Sequence, residues 1–151
     1  VIPFEVMIKR IEKMSDRYMI GDFGCGEAFL YKKFGNRVKS FDMVTVGPEV
    51  TVADISDVSV KTLGKEKGIA DGGLDVIVFS LSLMGTNWAD YIKEAHRCLA
   101  NDQLMLITVT TESLNRPRLA NLTDVIEETG FEIIKQTQKG PFTFIDARKN
   151  E

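Results

Sequence analysis

At 151 residues, with 44% hydrophobic and 27% charged side chains, the chain has the length and make-up of one soluble globular domain rather than of a disordered or fibrous protein. A net charge of -3 and a pI near 5.3 argue against a strongly basic nucleic-acid surface. Two distant cysteines (Cys25 and Cys98) and a single histidine (His96) argue against a metal centre and for reduced thiols in an intracellular setting.

Residues 1–14 carry Phe4, Met7, Ile8, Ile11 and Met14 at helical spacing, which predicts an amphipathic helix whose stripe packs into the core. The start at Val1 is that expected of a domain excised from a longer chain, whose flanks would carry part of the substrate binding. Residues 18–22 read as the first strand. The turn Gly21-Asp-Phe-Gly-Cys-Gly26 follows, then a helix over 27–34 stopped by Gly35-Asn36. Strand, glycine turn and helix open a nucleotide-binding βαβ unit. Gly24 and Gly26 let the backbone approach a ligand, the amides at the helix start point toward it, and Asp22 places a carboxylate beside it. A tight structural turn with no ligand fits the same residues.

Residues 37–41 alternate as a second strand ending at Asp42. An acid there is where a βαβ unit holds ribose hydroxyls, although Asp also caps turns. A loop over 44–48 is closed by Gly47-Pro48, and a third strand over 50–53 ends at a second acid, Asp54. The polar segment 56–73 predicts a short helix around 58–63 and then a flexible loop. Residues 74–83 form the most apolar run, a central parallel strand buried on both faces. Its carboxyl end faces the ligand crevice of an open α/β sheet, so Ser80, Ser82, Thr86 and Asn87 are candidates for a substrate wall. Thr86 or Asn87 could equally cap the next helix.

That helix spans 88–99 with Tyr91, Ile92, Ala95 and Leu99 on one face and His96 turned to solvent. A turn at 100–103, a fifth strand over 104–110 and a loop over 111–118 follow. A helix over 119–129 ends at Gly130, and strands 131–138 and 142–148 make a hairpin around Lys139-Gly-Pro141. The alternation predicts a seven-stranded, mostly parallel sheet with helices on both faces and one antiparallel strand from the C-terminal hairpin. This is the Rossmann-like class I methyltransferase fold, as a single domain over 1–151. A dehydrogenase would need a further catalytic domain.

Asp22-Phe-Gly-Cys-Gly26, Phe41-Asp42, Val50-Thr-Val-Ala-Asp54, Phe79-Ser-Leu-Ser-Leu-Met-Gly-Thr-Asn87 and Phe142-Thr-Phe-Ile-Asp146 together resemble the nucleomethylin-like ribosomal-RNA-processing methyltransferases. The resemblance implies S-adenosyl-L-methionine as cofactor and, for some members, N1 of an adenine in large-subunit ribosomal RNA as target. It implies that Gly24 and Asp42 contact the methionine and ribose parts, that Asp54 and Ile55 hold the adenine, and that Ser80 lines the cofactor site. With the turn residues, the expected cofactor set is Asp22, Gly24, Gly26, Asp42, Asp54, Ile55 and Ser80. Ser82 and Asn87 are the substrate-wall candidates, no catalytic residue is assigned, and neither a metal nor a membrane is expected.

An RNA substrate is expected to be held with help from flanking segments or a partner module, in the nucleolus of a eukaryote or the cytoplasm of a prokaryote. Four departures stand out. Ala100-Asn-Asp-Gln103 replaces a Lys-Pro-Gly-Gly run, Val109 replaces an acid, the loop 61–73 is longer, and a segment with a cofactor-contacting histidine would precede Val1. They keep two alternatives open: a cofactor-binding module without turnover, and a methyltransferase acting on a small molecule or protein.

Overall fold

The computed structural model describes residues 1–44 and 47–150. Seven strands form one sheet in the order β3-β2-β1-β4-β5-β7-β6: β1 (Ile20–Phe23), β2 (Val38–Asp42), β3 (Val50–Val52), β4 (Leu74–Ser80), β5 (Leu99–Thr110), β6 (Phe131–Lys139) and β7 (Phe142–Lys149). The first five run parallel, and β7 is antiparallel to both β5 and β6. Along β4, Val76 and Val78 face a core under α1 (Pro3–Glu12) and α2 (Phe29–Phe34). Ile77 and Phe79 face the opposite core, with residues of α4 (Trp88–Cys98) and α5 (Leu122–Thr129). Successive strand residues point to opposite sides, so an unbroken apolar run is what a two-faced parallel strand requires.

At the carboxyl edge, Phe23 of β1 meets Phe41 of β2 and Phe79 of β4 edge to face, each with centroids 5.6 Å apart. These contacts bind three strand tips into one unit. The sheet order reverses at β1, flanked by β2 and β4, which makes the tips of these strands the ligand crevice of such a sheet.

Several expectations are corrected. β4 stops at Ser80 because Leu81 turns into the left-handed region (φ 58) while its N–H donates to Thr108 O. Residues 100–103 are a bulge within β5. Leu99 pairs with Leu74 and Leu104 with Val76, so the intervening residues loop out, with Asp102 at φ 67. The 58–73 segment is anchored. Before α3 (Val60–Leu63), Val58 N donates to buried Glu94 (2.6 Å); Glu94 also accepts from Arg97, whose Nη1 in turn donates to Ile69 O and Asp71 after the helix. A Cβ on Gly68 would lie 2.4 Å from Val60 Cα, so only glycine fits that approach. His96 does not face solvent; its ring packs edge to face on Phe131, and burial lowers its pKa. In the expected 44–48 loop, residues 45 and 46 lie outside the described residues. No helix among the described residues is long and apolar enough to cross a membrane.

α1 is fastened to the far end of the chain by Arg10, whose guanidinium donates two hydrogen bonds to Asp146 on β7. The partners differ in exposure, 31% for Arg10 and 5% for Asp146. Removing the arginine strands a buried carboxylate, whereas removing the carboxylate leaves a cation that reaches water. Arg10→Ala should therefore cost about 3 kcal/mol and Asp146→Ala about 2 kcal/mol in urea unfolding. Equal or reversed losses would contradict this reading of the pair.

Candidate functional site

The chain leaves β1 through a turn folded over the tip of β2: Gly24 N and Cys25 N both donate to Phe41 O (2.8 and 3.0 Å). Gly24 has φ +81, and a Cβ there would stand 2.4 Å from Ser82 Cβ. The Ser82 hydroxyl donates to Phe23 O (2.6 Å), which clasps the β4 exit to the β1 tip. Asp42 is held by two amides, Gly26 N on Oδ2 (2.8 Å) and Met43 N on Oδ1 (2.7 Å). Asp54 Oδ1 accepts from Ser56 N and Oγ (2.9 and 2.7 Å), while no partner for Oδ2 is found among the described residues. α2 begins at Phe29 rather than at residue 27, with Ala28 N bonded to Cys25 O. The amides of Gly26 and Ala28, which precede the helix, are thus engaged within the protein.

Eight of the ten site residues named from sequence border one cleft of about 470 Å³: Gly24, Gly26, Asp42, Asp54, Ile55, Ser80, Ser82 and Asn87, whereas the substrate-wall candidate Thr86 is not part of its lining. Met43, Leu81, Met84 and Tyr91 complete its lining. Met43 and Leu81 follow the tips of β2 and β4 directly, and Tyr91 stands one helical turn after Asn87, whose Oδ1 accepts from the phenol (3.0 Å). That spacing was the available signal for Tyr91. Burial first, then the Asp54 charge, raises the Tyr91 phenol.

The remaining residue, Asp22, borders an adjoining cavity of about 230 Å³. That cavity shares Gly24, Gly26, Ser80 and Leu81 with the cleft and is covered by Pro3, Phe4 and Met7 of α1 and by Phe29, which stacks on Phe4 at 4.0 Å. The helical stripe assigned wholly to the core thus also roofs a cavity. Asp22 is only 3% exposed, and its carboxylate has no hydrogen-bond partner among the described residues. Burial, then the Asp42 charge, lifts it to about 7. The Cys25 thiol is pushed up to about 12 by burial and then by Asp22 and Asp42, which leaves it protonated at neutral pH.

The cleft and cavity together are concave, partly apolar and walled by four carboxylates, Asp22, Glu27, Asp42 and Asp54, an arrangement suited to a nucleoside that carries positive charge. A family of methyltransferases, described as "Hypothetical methyltransferase", matches residues 1–151 throughout. The chain belongs to this methyltransferase family. It is similar to Ribosomal RNA-processing protein 8 of Arabidopsis thaliana, with 40% identity over 106 residues, 70% of this chain and 34% of that protein. It is also similar to the 25S rRNA (adenine(645)-N(1))-methyltransferase of Schizosaccharomyces pombe, at 32% identity over 91% of this chain and 42% of that protein. The chain thus spans between a third and a half of the length of these two relatives. An S-adenosylmethionine-dependent methyltransferase from Mesorhizobium loti has the same fold, with a TM-score of 0.71, 12% identity and coverage of 99% of this chain and 98% of that one.

Within the family frame, the departures separate by position. The 100–103 bulge lies at the amino end of β5, beside Leu74 at the start of β4, on the edge of the sheet opposite the cleft. Val109 lies at the other end of β5 and borders a third cavity of about 230 Å³ that adjoins the cleft.

Proposed function

We propose that this chain binds S-adenosyl-L-methionine across the cleft and its adjoining cavity and transfers the methyl group to RNA. By relation to the S. pombe enzyme, the target is N1 of an adenine in large-subunit ribosomal RNA. One observation carries the cofactor reading: a buried, unpartnered carboxylate, Asp22, faces a cavity that opens into a cleft walled by two further acids. An isolated buried carboxylate is unfavourable unless paired, and a ligand with an ammonium and a sulfonium supplies the missing partner.

In this reading Asp22 answers the ammonium of the methionine part. Asp42, fixed by the Gly26 and Met43 amides, accepts from the ribose hydroxyls. The unengaged Oδ2 of Asp54 accepts from the adenine amino group, and Ile55 packs against the adenine. Gly24 and Ser80 line the passage between the two halves. Ser82 shapes the wall through its bond to Phe23 O, and Asn87 presents its amide beside Tyr91. The bound cofactor supplies a methyl group already activated on a positively charged sulfur, which a neutral nitrogen lone pair takes without prior deprotonation. The protein's contribution is therefore alignment and exclusion of water, and a site without a Ser-His-Asp or metal set is sufficient. For an RNA-processing enzyme of a eukaryote the corresponding location is the nucleolus. Further segments or a partner module add RNA affinity.

A small-molecule acceptor is favoured by one feature: among the described residues no Lys or Arg lines the cleft, whereas two aspartates do. Incubation with methyl-labelled cofactor and separation into RNA, protein and small-molecule fractions decides between them. Label in RNA supports the proposal, and label confined to another fraction overturns its substrate half. Asp54→Ala should raise the cofactor Kd about tenfold through loss of one charge-assisted acceptor, and an unchanged Kd would remove Asp54 from the adenine site.

A further inference from the structure

Leu81 borders all three cavities, and Met84 borders both the cleft and the third cavity. The left-handed step at Leu81 sets its side chain at this junction, a strained geometry that costs about 1–2 kcal/mol in a residue bearing a Cβ. The inner wall of the third cavity is Leu83, Val109 and Leu119, all buried. Among the described residues no carboxylate or ammonium lines it, and the Arg118 guanidinium is the charged group on its wall; a cation entering there would be desolvated without a partner, whereas a neutral ring carrying an anionic substituent would not.

Arg118 stands at the rim. Its Nη1 donates to Leu83 O (2.8 Å) and Gly85 O (2.9 Å), and its own carbonyl accepts from Trp88 Nε1 (2.8 Å). Backbone and guanidinium are both fixed, yet Nε and Nη2 find no acceptor among the described residues and the side chain is exposed. The neighbouring Arg116 is paired with Glu112. A guanidinium oriented in advance, with donors left over, suits a phosphate.

We propose that the third cavity is the acceptor subsite, that it takes one unpaired nucleobase of a nucleic-acid strand, and that Arg118 holds that nucleotide's phosphate. This rests on the cofactor reading above, because the shared Leu81 and Met84 wall places the acceptor beside the methyl donor. A paired base cannot enter without leaving its stack, so the strand is single or flipped at that position.

The test is a methyl NMR titration of the full chain saturated with S-adenosylhomocysteine, using adenosine, AMP and a short single-stranded oligoadenylate. All three should move the signals of Leu83, Val109 and Leu119. Arg118→Met should weaken AMP about tenfold and leave adenosine unchanged. It should also lower the salt slope of oligoadenylate binding by about 0.7, the value for one phosphate on a single strand. Arg118→Lys should retain the slope. Ser113→Trp, placed to fill the cavity, should lose AMP binding and keep S-adenosylhomocysteine binding, which also reports that the variant is folded. Shifts confined to other residues, an equal loss for AMP and adenosine in Arg118→Met, or AMP binding retained in Ser113→Trp would each overturn the subsite. Binding of AMP but not of oligoadenylate would overturn the strand as its source. Failure of the cofactor reading shows separately, as an Ile55 signal that S-adenosylhomocysteine does not move, and the shifts at Val109 and Leu119 then still decide the acceptor cavity.

Discussion

A Gly24→Ala variant should give no measurable heat on titration with S-adenosylmethionine and should unfold with about 3 kcal/mol less stability than the parent. Two costs combine. The backbone at φ +81 lies where a side chain is strained, and the new methyl would stand 2.4 Å from Ser82 Cβ. Ser82 cannot retreat freely, because its hydroxyl is bonded to Phe23 O at 2.6 Å. Relief must come from the turn itself, which carries the Gly24 and Cys25 amides on Phe41 O and the Gly26 amide on Asp42. Displacing the turn therefore disturbs the cleft wall and the orientation of Asp42 together. The double variant Gly24→Ala/Ser82→Gly removes the contact and should recover much of the stability, leaving the backbone strain. If the single variant binds cofactor like the parent, the close passage at Gly24 is not part of the cofactor site.

Asp22→Asn should weaken cofactor binding about a hundredfold at pH 7.5 while raising the stability of the free protein. The free chain holds the Asp22 carboxyl at about 7 against an ordinary value of 3.8, through burial first and the Asp42 charge second. A carboxyl raised on folding adds stability that is fully present below its unfolded pKa and declines as pH rises from there through the folded value. Between pH 4 and 7 the parent should thus lose stability, on the order of 4 kcal/mol at 1.36 kcal/mol per pKa unit. The Asn variant lacks this decline and should melt several degrees higher at pH 8. Binding runs the opposite way, because a cationic ligand requires Asp22 ionised. Parent affinity should climb up to tenfold per pH unit below 7, level off, and fall again as the ligand's amino group deprotonates near about 8. The variant should lose the acidic limb of this bell and keep the alkaline one. An identical acidic limb in both proteins would assign that titration to another group.

The strand tips were readable from sequence because each is a local event: an apolar run that stops at Asp22, Asp42 or Asp54, with glycines after the first. The two-faced burial of β4 was readable for the same reason, since an unbroken apolar run has few other uses. What escaped depends on contacts between distant segments. Phe4 and Met7 look like ordinary core residues, and only the docking of α1 by Arg10 to Asp146, 136 positions away, turns them into the roof over Asp22. The loop after the short helix around 58–63 reads as flexible from its glycines and lysines, yet Arg97, held by buried Glu94 on another helix, anchors it at Ile69 and Asp71. Residues 100–103 read as a turn between elements, and the bulge reflects a pairing register that only the neighbouring strand defines. His96 reads as a surface residue beside Arg97 until Phe131 closes over it.

The central claim is that the tips of β1, β2 and β3, with Asp22 beneath them, form one receptor for S-adenosyl-L-methionine. Isothermal titration calorimetry of the chain with this compound at pH 7.5 tests it most directly. Saturable binding at one molecule per chain, lost in Gly24→Ala and weakened in Asp22→Asn, is the expected result. Absence of binding by the folded parent chain up to millimolar ligand would contradict it.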